Sequence, residues 1–144
     1  MNFSGEVSSG LGRAHVFMAQ THYQEQFKLI LGSGAWPGTL NVDLDREDLV
    51  KYQNLRVIAG LDEGEVVDGP EGIRIAGFER DGKSFGGATA FSGKISINQE
   101  NWISCAVLIP DLTRHTKTAE IISSSFLREI LPCMDGERVW LKFN

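Results

Sequence analysis

Trp36-Pro37-Gly38-Thr39-Leu40-Asn41-Val42-Asp43-Leu44 is the stretch from which the rest of this chain can be read. Pro37 presets φ for the second position of a tight turn, and Gly38 offers the positive φ that a type II turn needs next. Directly afterwards Leu40, Val42 and Leu44 alternate with Thr39, Asn41 and Asp43, the period-2 pattern of a half-buried strand. One face is aliphatic. The other presents a hydroxyl, an amide and a carboxylate at the fixed spacing of the pleat. Hard oxygen donors on a rigid strand beside a glycine turn suit Mg²⁺ and the phosphates it carries. An ordinary solvated strand face has the same pattern, and spacing alone leaves both readings open.

At 144 residues the chain is expected to form a single domain, 1–144, large enough to bury a substantial core. It has no run long and apolar enough for a membrane span. Residues 1–12 are polar and glycine-rich, unlike a secretory leader, so a cytoplasmic location without membrane partners is expected. Cys105 and Cys133 are too few and too far apart for a metal knuckle or a disulfide framework; both read as buried, reduced side chains. With 14 basic against 19 acidic residues the formal charge is −5, which argues against nucleic acid as a partner. An acidic protein that handles a nucleotide needs a metal, backbone amides and a few placed cations.

Outward from the opening stretch, residues 2–7 and 15–19 read as short strands around Ser8-Ser9-Gly10-Leu11-Gly12-Arg13-Ala14. Thr21 and Gln24 have capping-box spacing. Tyr23, Phe27, Ile30 and Leu31 follow at helical spacing, predicting a helix of about ten residues that Gly32 and Gly34 end. Downstream the pattern is β: residues 73–78 and 84–91 flank an Asp81-Gly82 hairpin signal. Residues 94–98, 102–109 and 119–122 follow as further strands. Ser123, Ser124 and Ser125 offer N-caps for a short helix over 126–131. Asp135-Gly136 turns the chain into a last strand with Val139, Leu141 and Phe143 inward. Many short strands with about two short helices predict a mostly β fold, a small closed barrel without exposed sheet edges.

Taken together, the order of blocks resembles the archaeal-type CTP-dependent riboflavin kinases over nearly all of the chain. The blocks are Gly10-Leu11-Gly12, a helix, Pro37-Gly38-Thr39-Leu40-Asn41, Gly77-Phe78-Glu79-Arg80 with Phe85-Gly86-Gly87, then Thr113, Glu120-Ile121-Ile122, Phe126-Leu127-Arg128-Glu129 and Asp135-Gly136-Glu137. The Pro-Gly-Thr-Leu-Asn block and the Glu-Ile-Ile block followed by Leu-Arg-Glu are its most specific parts. The resemblance implies a six-stranded cradle-loop β-barrel without a P-loop. It implies transfer of the γ-phosphoryl group of CTP to the ribityl 5′-hydroxyl of riboflavin, giving FMN and CDP. By the same resemblance Gly10, Leu11, Gly12, Arg13, Ala14 and His15 cradle the nucleotide, and Ser125, Phe126, Leu127, Arg128, Glu129 and Ile130 complete its site. Thr39 and Asn41 match the Mg²⁺ ligands, in agreement with the strand-face reading. Thr113 and Glu120 match positions that contact the flavin. No general base is assigned.

The chain departs from that pattern in three places. Arg13-Ala14 stands where the family's glycine loop continues with another glycine. Ser123-Ser124 stands where Ala-Pro is common after Glu-Ile-Ile. The basic residues around Thr113 are thinned to Arg114 and His115, and the spacing from Thr113 to Glu120 is about one residue shorter than usual. The alternative to an active kinase is therefore a catalytically weak or inactive barrel that binds flavin or nucleotide, and a third class is a non-enzymatic barrel used in assembly or regulation. Retention of Thr39, Asn41 and Glu120 together favours the kinase.

Other residues have plainer expectations. His22 reads as an exposed first-turn residue, and His115 as a solvated loop residue or a substrate contact. Asp62-Glu63-Gly64-Glu65 reads as a solvated turn. Gly86-Gly87 marks a barrel bend or a close approach to ligand. Asp43 stands near the metal pair or orients the acceptor. Glu120, in an apolar segment, needs a partner: a ligand, or Arg128 or the amides near 123–125.

Overall fold

Leu40, Val42 and Leu44 are buried while Asn41 and Asp43 are not, so the alternation is a strand, β2 (Leu40–Leu44). The computed structural model describes residues 1–10, 14–65 and 68–143. Before β2 come β1 (Asn2–Ser8), α1 (Ala14–Met18) and α2 (Thr21–Leu31). After it come a 3-10 turn (Arg46–Asp48), α3 (Leu49–Ile58), β3 (Ile73–Ile75), β4 (Phe78–Arg80) and β5 (Lys83–Phe85). The chain continues through β6 (Ala88–Ser96), β7 (Ile103–Pro110), β8 (Thr118–Ile122), α4 (Leu127–Ile130) and β9 (Arg138–Phe143).

The main sheet runs β3-β6-β7-β8-β2-β1-β9, and β9 pairs back onto β6. Every pairing is antiparallel, and the return pairing of Gly93 with Phe143 through Ser96 with Trp140 closes six strands into a barrel. β3 lies outside the closed ring, on the first half of β6. β6 thus serves two partners in turn, and the switch falls at Gly93. A Cβ there would lie 2.2 Å from the Lys142 carbonyl oxygen and 2.3 Å from the Phe143 ring, so only glycine lets the two strands meet.

Period-2 alternation sorts the side chains into two apolar layers. Phe3, Val7, Val42, Phe91, Ile95, Val107, Ile121, Val139 and Leu141 fill the interior, joined by Tyr52 and Leu55 of α3. The outward faces of β6, β7 and β8 carry Ala88, Ala90, Ala106, Leu108 and Ile122, against which Met18, Tyr23 and Phe27 of α1 and α2 pack. Small alanines let α2 lie close to the sheet. Burying a large side chain such as Phe27 contributes about 1.5–3 kcal/mol, so this outer layer is a second core and not a surface decoration. β4 and β5 form a separate hairpin. Asp81 and Gly82 both take positive φ (52° and 75°), as the Asp-Gly signal implied for a type I′ turn. Cys105 and Cys133 are free and buried. No helix among the described residues is long and apolar enough to cross a membrane.

Several local expectations are corrected. Residues 15–19, read as a strand, instead form most of helix α1 and the turn after Met18, and among the described residues none of them pairs in a sheet. Thr21 caps nothing. The helix is preceded by Gln20, and the Gln24 amide instead donates to Met18 and Ala35 carbonyls and accepts from the Ala35 amide. Gly32 does end α2 in a left-handed conformation (φ 80°). Gly38 has a positive φ, but at 154° it is far from the roughly +80° of a type II turn, and Pro37-Gly38 forms a bend instead. The expected strands over 73–78 and 84–91 each break in two, the second at Gly86-Gly87. The three serines do not cap α4: Ser123 donates its hydroxyl to the Ser104 carbonyl, and Phe126 holds the cap position. Helices number four among the described residues, because α1 and α3 were not anticipated.

The barrel seam yields a direct test. Gly93→Ala is expected to destabilise the protein by about 1–3 kcal/mol, the range for overpacking a rigid site. Gly86→Ala, with nothing within 4 Å of its new methyl, should be nearly neutral. Urea unfolding midpoints measure both, and equal midpoints for the two variants would contradict this account of closure.

Candidate functional site

Ser8, Asn41, Glu120 and Leu108 stand side by side across β1, β2, β8 and β7, each the direct register partner of the next. Their chain neighbours Val7, Val42, Ala119 and Val107 fill the barrel, so this row faces outward. Between it and the layer of α1 and α2 lies a cleft of about 840 Å³. Its walls come from the end of β1, from α1, from the stretch before β2, from Gly86-Gly87, from the loop after β7 and from the start of α4.

The cleft gathers most of the residues singled out from the sequence. Gly10, Ala14, His15, Ser125, Phe126, Leu127 and Arg128 line it, as do Thr39, Thr113 and Glu120. Asn41 sits at its edge, where the Thr39 hydroxyl donates to Asn41 Oδ1 at 3.0 Å. Gly10 lies against the same amide: a Cβ on it would come within 2.5 Å of Asn41 Nδ2. Gly10 and the Thr39–Asn41 pair are therefore one locality. Leu11, Gly12 and Arg13 fall outside the described residues. Glu129 and Ile130 are exposed and line nothing in the cleft. Asp43 turns away too, accepting hydrogen bonds from Ser8 Oγ and Thr118 Oγ1.

Glu120 is the most unusual charge in the site. Among the described residues its carboxylate has no hydrogen bond or ion pair, while burial pushes its pKa up and the His115 imidazole pulls it partly back. The structural partner considered from sequence is engaged elsewhere: Arg128 donates to the Ser8 carbonyl at 3.2 Å and to Asp135 at 2.7 Å. Asp135 also accepts from Ser9 Oγ, and these two bonds hold its carboxyl below the usual range. That network ties α4 to the end of β1, so the two stretches that the resemblance assigns to the nucleotide are fixed to one another.

Other lining residues carried no signal, or a misread one, in the sequence. Trp36 and Phe126 form a half-exposed aromatic pair with ring centroids 5.1 Å apart. An aromatic residue before Pro-Gly is the only hint of it. Tyr23, counted from its spacing as core, also reaches the cleft and donates its hydroxyl to the Gly86 carbonyl at 2.6 Å. His22 is not a solvated first-turn residue: it bonds the Ala76 carbonyl at 3.0 Å and lies 4.5 Å from the Phe78 ring, holding the β4–β5 hairpin against α2. Gly86-Gly87 both bends the chain and lines the cleft. His115 is exposed on the cleft wall.

The comparisons with known proteins converge. A family model named for CTP-dependent riboflavin kinases, described as "Domain of unknown function DUF120", matches residues 7–143. A riboflavin kinase of Thermoplasma acidophilum is 35% identical over 136 residues, 94% of this chain and 54% of that protein. A riboflavin kinase of Haloquadratum walsbyi is 31% identical over 145 residues, 100% of this chain and 57% of its own. One of Pyrobaculum islandicum is 34% identical over 140 residues, 96% of this chain and 58% of its own. The chain thus spans a little over half the length of these relatives.

The half-buried Glu120 carboxylate, without a partner among the described residues, makes stability pH-dependent. Burial raises the folded-state pKa of Glu120 above the ordinary 4.5, so the stability linked to this group is complete below that value and is lost as pH rises through the folded-state pKa. Glu120→Gln removes the desolvated charge. It is expected to melt higher than the wild type near pH 7, with the gap closing toward about pH 4. A lower melting temperature for Glu120→Gln at neutral pH would mean that the carboxylate holds the fold.

Proposed function

The chain belongs to the CTP-dependent riboflavin kinase family, and we propose that it transfers the γ-phosphoryl group of CTP to the 5′-hydroxyl of riboflavin, with Mg²⁺ held by Thr39 and Asn41. The observation that carries this reading is the register pairing of Asn41 with Glu120. It sets the oxygen pair that suits a metal-bound phosphate directly beside a carboxylate with no partner among the described residues. One substrate approaches from each side of that junction.

The donor set fits Mg²⁺. Thr39 and Asn41 offer two neutral oxygens 3.0 Å apart. An octahedral ion with bonds of 2.0–2.1 Å has adjacent ligands about 3 Å apart. No group of three His, Cys, Asp or Glu side chains able to hold a metal exists among the described residues. That suits an ion that keeps several waters and takes the rest of its ligands from phosphates. Bound there, Mg²⁺ supplies positive charge against the phosphate oxygens as the transfer proceeds. Neutral ligands leave that charge undiminished.

The chain's own residues supply binding and alignment. Gly10 lets backbone approach the Asn41 amide, and the Ser8–Arg128–Asp135 ties hold α4 against that segment so that both face one nucleotide. Glu120 accepts hydrogen bonds from polar atoms of the flavin, and Thr113 stands on the same wall. In the transfer, the bond from the γ-phosphorus to the bridging oxygen breaks and the ribityl oxygen–phosphorus bond forms. The hydroxyl proton is released, and the products are FMN and CDP. Alignment of acceptor and donor accounts for most of the catalysis such a reaction asks of a protein.

The test is FMN formation from riboflavin, CTP and Mg²⁺. Asn41→Leu keeps the bulk and removes the oxygen; it should lower turnover by roughly two orders of magnitude, the scale of one lost electrostatic group, with the melting temperature nearly unchanged. Glu120→Gln should weaken riboflavin binding by about 1–3 kcal/mol and leave CTP binding alone. Undiminished activity of Asn41→Leu at limiting Mg²⁺, or ATP binding as tightly as CTP, would overturn the corresponding part of the proposal.

A further inference from the structure

Arg56 is 7% exposed, rare for a guanidinium, and each of its donor groups is engaged. Nε and Nη2 donate to the two carboxylate oxygens of Asp62 at 2.8 and 3.2 Å, and Nη1 donates to the His115 carbonyl at 2.9 Å. Asp62 is thus no part of a merely solvated acidic turn, as its surroundings in the sequence implied. The hydrogen bond between them raises the Arg56 pKa and holds the Asp62 carboxyl below the usual range.

A buried cation tolerates no empty donors, because a guanidinium left unpaired away from water is strongly destabilising. The two-point bond to Asp62 fixes the plane of the guanidinium, and with it the direction in which Nη1 points. The end of α3 is already closed without this arrangement, by the Leu61 amide donating to the Arg56 carbonyl at 2.9 Å. What the third arm adds is a hold on the loop after β7. Within that loop the His115 amide donates to Thr113 Oγ1 at 3.2 Å, and the Thr113 amide donates to the Pro110 carbonyl at 3.0 Å. Moving the His115 carbonyl therefore moves the Thr113 hydroxyl. Thr113 and His115 line the cleft beside Glu120, whereas Arg56 and Asp62 do not line it.

We propose that the Arg56–Asp62 pair is a positioning device for the acceptor end of the cleft, setting by way of the His115 carbonyl where Thr113 and His115 stand relative to Glu120 and so governing riboflavin binding without touching riboflavin. The assignment of that end to riboflavin rests on the functional reading above. Arg56→Lys keeps the charge but cannot grip a carboxylate and a carbonyl in one rigid plane. Asp62→Asn is the milder counterpart if the lysine variant folds poorly.

Two readouts decide the matter. In the ligand-free protein, hydrogen exchange at the Thr113 and His115 amides should quicken in both variants, while barrel amides stay protected. In the assay, the KM for riboflavin should rise roughly tenfold, equivalent to about 1.4 kcal/mol, with kcat and the KM for CTP almost unchanged. A lowered melting temperature with unchanged exchange in the loop would reduce the pair to a staple of α3 and overturn the proposal. So would a KM for CTP that rises in step with that for riboflavin. Failure of the wild type to phosphorylate riboflavin retires the functional reading alone, since the exchange measurement judges the positioning by itself.

Discussion

The pairing of β6 with β9 is the constraint on which the rest of the structure depends. Closure gives each of the six strands two neighbours, so the register of each is fixed by both, and a slip of one residue would turn every interior side chain outward. That is why Val42 and Ala119 can be trusted to face inward, and why Asn41 and Glu120 then have no choice but to stand together outside. The candidate site is a by-product of the core's alternation: the same β2 contributes Leu40, Val42 and Leu44 to the interior and sets Asn41 outward at the edge of the cleft.

The cleft also explains the second apolar layer. An outward barrel face left bare would be a large exposed apolar patch, and α1 and α2 cover it over β6, β7 and β8. Over the Asn41–Glu120 junction the covering layer leaves an open space of about 840 Å³. A carboxylate half-buried there with no partner among the described residues is a standing cost to the folded state. Glu120 makes sense in a protein that meets a ligand at that point, and much less in one that keeps the cleft empty.

Features governed by short-range pattern were legible in the sequence. Period 2 marked β2 and β9, Asp81-Gly82 marked the β4–β5 turn, and Gly32 marked the end of α2. Tertiary demand overrode local propensity elsewhere. Val16-Phe17 looks like strand, yet it pairs with no strand among the described residues, and the segment coils into α1. The Gln24 side chain was taken for a capping group but is recruited by Met18 and Ala35 across the end of the helix. α3 was missed although Leu49, Tyr52, Leu55 and Arg56 have helical spacing, because a buried arginine and a polar flank hide its inner face. At the site, Thr39 and Asn41 were marked by the alternation and Glu120 by its apolar setting, while Gly10, Thr113 and Arg128 were assigned roles only by the resemblance. The Arg56–Asp62 pair and the hold of His22 on Ala76 left no sequence signature, since their partners are brought together by the fold.

The most direct test of the central claim, that metal-bound nucleotide and acceptor meet at the Asn41–Glu120 junction, is a paramagnetic one. Mn²⁺ substituted for Mg²⁺ in the presence of CDP broadens the NMR signals of nearby amides. The account predicts broadening centred on Gly10, Thr39, Leu40, Asn41 and Glu120, with the barrel seam at Gly93 untouched. Broadening confined to the acidic stretch Asp62-Glu63-Gly64-Glu65, or none that depends on CDP, would contradict it.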